Sequence, residues 1–123
     1  MVLVDTSVWI NHLRLKNDYL SLLLNEEKVL THSSATGELA CGSIKNRKEF
    51  LGLLENLPKS NESTSTEVLS FISTKCLFEK GIGWVDAGLL ESTMISGSLL
   101  CTVDQRLRAI AMSLKISFSP LRG

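Results

Sequence analysis

The chain has 123 residues, 44% of them hydrophobic and 21% charged, with 13 basic and 13 acidic side chains and a formal net charge of zero. These values fit one soluble domain, residues 1–123, long enough to bury a two- or three-layer core, and the short, interrupted apolar runs speak against a membrane span. Met1 runs directly into a strand, which leaves no room for a signal peptide, so a cytoplasmic protein is expected.

In chain order, Val2-Leu3-Val4 reads as a short buried strand, and Asp5-Thr6-Ser7 as its end and the cap of a helix from Thr6 to about Leu13. Asn17 to Glu27 suits a second helix with Leu20, Leu23 and Leu24 on one side, and Val29-Leu30-Thr31 a second strand. Ser33 or Ser34 is expected to cap a helix through Gly42, and Lys45 to Leu57 to form another, ended by Pro58. Any strand between Lys59 and Ser65 is short and at an edge. Ser63 or Thr64 starts a helix whose stripe is Val68, Leu69, Ile72, Cys76 and Leu77, and Gly81-Ile82-Gly83 interrupts it. A helix from Trp84 to about Ser96, a strand Leu99 to Val103, a helix Gln105 to Leu114 and a last strand Ile116-Ser117-Phe118 complete the chain.

Strands alternating with helices imply an α/β fold of three layers, α/β/α, around a short parallel sheet. Cys41, Cys76 and Cys101 form no C-x-x-C pair and are expected to be reduced, mostly buried small hydrophobes, while His12 and His32 share no ligand spacing and read as surface or satisfied histidines. Trp9 and Trp84 read more readily as core or interface than as stacking platforms.

Four acids stand out. Asp5 and Asp104 end strands, where ligands collect in open parallel sheets, although either acid also suits a helix cap. Glu38 shares a helix face with Ala35, Leu39 and Gly42, and Asp86 heads the stripe of Leu89, Leu90, Thr93 and Met94. Singly, Glu38 reads equally as a carboxylate looking out past a helix edge, and Asp86 as favourable placement against the helix dipole. Together they point to one acidic cluster, tolerable at neutral pH around a cation, and an all-oxygen set selects Mg²⁺ or Mn²⁺. Thr102, two residues before Asp104 on the same side of its strand, suits a supporting hydrogen bond.

The blocks Val4-Asp5-Thr6-Ser7-Val8-Trp9-Ile10, Gly37-Glu38-Leu39-Ala40-Cys41-Gly42, Gly81-Ile82-Gly83-Trp84-Val85-Asp86 and Thr102-Val103-Asp104-Gln105-Arg106-Leu107 resemble, in order and spacing, the PIN-domain ribonucleases and more narrowly the VapC-type toxins of toxin–antitoxin pairs. The resemblance implies a PIN-like fold, Asp5, Glu38, Asp86 and Asp104 as metal-binding acids, and Thr6 and Thr102 as supporting hydroxyls. It also implies Mg²⁺- or Mn²⁺-dependent cleavage of RNA, homodimers, and a small VapB-type antitoxin. Asn11 stands where relatives often carry an acid and Gly88 where they often carry His, which bears on substrate choice.

On that reading Asp5 and Asp104 are the principal ligands, and Glu38 and Asp86 complete the shell or orient the attacking water. Setting these four aside leaves 13 bases against nine acids, enough for a local basic face. Its candidates are Lys45, Arg47, Lys48, Arg106 and Arg108, with Arg14 and Lys16 after the first helix. The alternatives are a non-catalytic PIN-like binding module and a solitary RNA-processing nuclease. A receiver domain and an Asp-x-Asp phosphatase both fail on Thr6-Ser7, and no G-x-G-x-x-G or G-K-[ST] motif stands for a nucleotide cofactor.

Overall fold

The computed structural model describes residues 1–120. Three short parallel strands, β1 (Val2–Val4), β2 (Val29–Leu30) and β3 (Leu99–Cys101), form a sheet in the order β2-β1-β3. Val2 pairs with Val29 on one side and Leu99 on the other, and Val4 with Cys101. The first strand of the chain is thus the middle of the sheet, buried on both faces as its unbroken Val-Leu-Val requires.

Alternation along the strands divides the interior in two. Val2, Val4, Val29 and Cys101 face one layer, with Val8 and Trp9 of α1 (Thr6–Arg14), Leu20 and Leu23 of α2 (Asp18–Asn25), Leu39 of α3 (Ser33–Ala40) and Leu54 of α4 (Arg47–Asn56). Leu3, Leu30 and Leu100 face the other, with Leu77, with Leu89 and Leu90 of α6 (Trp84–Ile95), and with Leu107, Ile110 and Ala111 of α7 (Gln105–Ser113). Helix α5 (Ser65–Thr74) packs on α6 and lends Phe71 and Ile72 to this second layer. The expected three-layer α/β/α arrangement is what the chain adopts.

Several boundaries differ from the sequence expectations, each for a local reason. His32 rather than a serine is the cap of α3, its Nδ1 accepting from the Ser34 N–H. Helix α4 starts at Arg47 because Asn46 adopts φ +54°, which no helix continues. Of the two caps expected for α5, Thr64 is the one used, in a reciprocal pair with Glu67. Leu69 is 57% exposed and Cys76 is exposed, so the stripe of α5 is narrower than its hydrophobicity suggests. The outer strands reduce to single bridges, Thr31 to Lys59 and Leu100 to Ser117, and β3 stops at Cys101, short of the exposed Val103. Of the cysteines only Cys101 is buried, its thiol pushed up to about 11 by burial, while Cys41 is exposed like Cys76. Among the described residues no helix is long and apolar enough to cross a membrane.

Candidate active site

The carboxyl ends of β1 and β3 lie side by side, because the Asp5 N–H continues their ladder by donating to the Cys101 carbonyl at 3.0 Å. Here β1 turns into α1 and β3 into α7, so the residues after both strands meet. Asp5 is buried and makes no side-chain cap to its own helix. Its Oδ2 instead accepts from the Thr102 hydroxyl at 2.7 Å and the Ser7 hydroxyl at 2.8 Å. The Val103 N–H donates to Ser7 Oγ and the Asp104 N–H to Thr102 Oγ1, which fixes both hydroxyls. A carboxylate oxygen receiving two charge-assisted bonds is held in place before any ligand arrives. The simple capping explanation for Asp5 therefore fails.

Asp104 conforms to that explanation in part. It is exposed, and its Oδ1 accepts the Leu107 N–H at 3.1 Å as the cap of α7. Glu38, expected on a packed face, is exposed while Ala35 and Leu39 beside it are buried; its Oε1 accepts from Thr6 Oγ1 at 2.9 Å, which ties α3 to the start of α1. Asp86 is half-buried in the first turn of α6, with Oδ2 accepting the Gly83 N–H at 3.3 Å.

The four carboxylates share one electrostatic neighbourhood. Burial, foremost, and then the negative charges of Asp5, Asp104 and Glu38 raise the Asp86 pKa above its ordinary value, against the opposing bond from Gly83. Among the described residues no group of three or more His, Cys, Asp or Glu side chains is arranged as a ready-made metal cage. The donors present are hard oxygens, and neither histidine joins them: His12 accepts from the Asn17 N–H and His32 caps α3.

Sequence patterning does not single out Ser7, whose hydroxyl bonds Asp5 and accepts from Val103; the signal is its position two residues after the acid, inside the cap. The basic candidates are dispersed. Lys45 lines a hollow of about 360 Å³ with Glu38 and Arg14. Arg47 donates from Nε and Nη2 to the Ala40 carbonyl, closing α3, and Lys48 lies in a different hollow with Asn46 and Glu49. Arg106 lies against Gly81, while Arg108 lines a separate hollow with Lys115. Gly81 has φ +78°, and a Cβ there would stand 3.0 Å from Arg106 Nη1, so the glycine permits this close approach.

No family model matches the chain. It is 44% identical over 110 residues to Ribonuclease VapC32 of Mycobacterium tuberculosis, in strain CDC 1551 / Oshkosh and in strain ATCC 25618 / H37Rv, a match covering 89% of this chain and 89% of each relative.

Proposed function

This chain belongs to the VapC toxins of the PIN-domain class, and from that premise we propose that it is a Mg²⁺- or Mn²⁺-dependent endoribonuclease acting in the cytoplasm and held in check by a VapB-type antitoxin. The observation that supports the reading is that the residues after β1 and β3 meet, with the Thr102 and Ser7 hydroxyls both donating to Asp5 and Thr6 donating to Glu38, while Asp86 has its pKa raised by burial and by the charges of Asp5, Asp104 and Glu38. Asp5 and Asp104 follow strands that lie side by side, and in this reading a divalent cation is what makes ionised acids drawn together there compatible at neutral pH.

Asp5 and Asp104 are the principal ligands in this reading, and Glu38 and Asp86 complete the set or orient the attacking water. The ion, when bound, supplies charge neutralisation for the phosphoryl and leaving oxygens and makes its bound water more acidic. The chain's own share is positional. Thr102 and Ser7 aim the Asp5 carboxylate, Thr6 holds Glu38 to α1, and Gly83 steadies Asp86 at the head of α6. Arg14 and Lys45 line the same hollow as Glu38 and are candidates to meet the RNA backbone. A homodimer is the expected assembly of such a toxin.

Protein purified free of any partner is expected to cut single-stranded RNA with Mg²⁺ or Mn²⁺ and to stop on addition of EDTA. Full cleavage in EDTA would overturn the metal mechanism. Binding of RNA without any cleavage in either metal would favour the non-catalytic module.

A further inference from the structure

The hollows on the surface differ in the charge of their linings. Those that hold Glu38, Glu62 and Glu49 each include a carboxylate, so the cations Arg14, Lys45 and Lys48 have an opposite charge in the same hollow. The hollows on two sides of α7 include none. One, of about 470 Å³, is lined by Lys75, Lys80 and Arg106, with Ala109 and Ser113 of α7 among its other residues. The other, of about 320 Å³, has Arg108 and Lys115. Among the described residues none of these cations is in an ion pair, and the exposed Glu79, next to Lys80 in the chain, is not part of the lining. From Gln105 to Lys115 the chain carries no acid. A protein of zero net charge has thus gathered uncompensated positive charge along one helix.

Local structure builds the larger hollow. Cys76, Glu79 and Gly81 have φ +54°, +62° and +78°, and this repeatedly turned segment sets Lys75, at the end of α5, and Lys80 against the same space. Arg106, Ala109, Ile110 and Ser113 follow one another at spacings of three and four on the facing side of α7, where the exposed Ala109 and Ser113 are short and leave the space open. Both walls run on into the acid site. Helix α7 begins directly after Asp104, and residues 80–81 lead to Gly83, whose N–H bonds Asp86. None of the four acids lines the hollow, so it lies apart from the reacting phosphate.

We infer that the hollow of Lys75, Lys80 and Arg106 is an exosite for the RNA, which holds backbone phosphates of nucleotides outside the cleaved step and leaves their bases unread. A guanidinium with two ammonium groups matches phosphate oxygens, while the lining has no aromatic ring to stack a base and no carboxylate to accept from its edge. The neighbouring acids select RNA over an acidic protein segment, because a polyanion that must approach carboxylates needs an anchor of opposite charge close by. The inference rests on the nuclease reading for its substrate, but binding tests it without cleavage.

The test follows binding of a labelled single-stranded RNA to the full chain in EDTA over a series of salt concentrations, and cleavage of the same RNA with Mg²⁺. The triple variant Lys75→Gln, Lys80→Gln, Arg106→Gln changes only exposed side chains, so its melting temperature should match the wild type. It is expected to bind at least about tenfold more weakly, by a similar factor for RNAs of different sequence, with a slope of log affinity against log salt smaller by about two, since each lost phosphate contact removes about 0.7. In cleavage the loss should fall on KM, with kcat retained. Ser113→Glu, which sets an acid in the hollow, should weaken binding in the same way and serves as the test if the triple variant fails to fold. Unchanged affinity and slope, a loss confined to kcat, a loss confined to one RNA sequence, or better competition by polyglutamate than by RNA of equal charge would overturn the exosite. RNA binding that depends on these cations, with no cleavage in either metal, would uphold the exosite and overturn the nuclease reading instead.

Discussion

At the end of β1 the Asp5 carboxylate is buried and turned from its own helix toward Thr102 and Ser7, while at the end of β3 the Asp104 carboxylate is exposed and caps α7. The difference comes from where each strand sits. β1 is flanked by β2 and β3, so the acid at its end is enclosed; among the described residues β3 has beyond it only the single bridge to Ser117. The inner acid is immobilised by hydroxyls from both turns, whereas the outer one gives one oxygen to the end of its helix. A desolvated, prepositioned donor loses little on gaining an ion, and an exposed one is the natural place for water and substrate to enter.

The largest expected effect is that of Asp5→Asn. It keeps shape and hydrogen-bonding capacity but not the charge, and RNA cleavage should fall beyond the about 10–100-fold that loss of a supporting group costs, with the melting temperature little changed. Asp104→Ser sharpens the contrast because serine still caps α7. Cleavage by this variant should also collapse while stability holds, whereas Asp104→Ala should in addition lose about 1 kcal/mol, readable by urea denaturation. A third variant, Thr102→Val, removes the donor to Asp5 and the acceptor of the Asp104 N–H. It is expected to cost about 1–3 kcal/mol and to slow cleavage by about 10–100-fold. Equal cleavage by Thr102→Val and the wild type would break the claim that Asp5 is held by its neighbours.

The smallest effect is in the pH dependence. Because the folded pKa of Asp86 is raised, the folded metal-free protein binds its proton more tightly than the unfolded chain does. Stability contributed by that proton is complete below the ordinary carboxylate range and is lost as pH rises through the raised value. EDTA should therefore lower the melting temperature more at pH 7 than at pH 4, and Asp86→Asn should reduce the difference.

The layered fold is legible in the sequence because the strands are nearly pure aliphatic runs and the helices carry their leucines at spacings of three and four. The four candidate acids stand out in the sequence as two strand-end and two inward helix positions, but their environments do not. Burial is decided by strand order, and nothing in residues 99–104 states that β3 lies beside β1 with only a bridge outside it. The apolar neighbours Ala35 and Leu39 imply a packed side for Glu38, yet it stands at the margin of that side, near enough to Thr6 for a hydrogen bond. Ser7 looks like a capping hydroxyl in sequence, since its partners Thr102 and Val103 are 95 and 96 residues away. Trp9 takes the core one of the two places expected of it, while Trp84, which opens a helix at the surface, is half exposed.

The bond from Thr102 to Asp5 spans 97 positions, and the strand that delivers Asp5 can pair on both sides only when residues 29–30 and 99–101 have both been made. Asp5 therefore cannot take its seat until residues 99–102 have been made and have folded back onto β1. A chain that stops before residue 102 is therefore expected to lack the hydroxyl that seats Asp5, and to melt and cleave as a protein without its site.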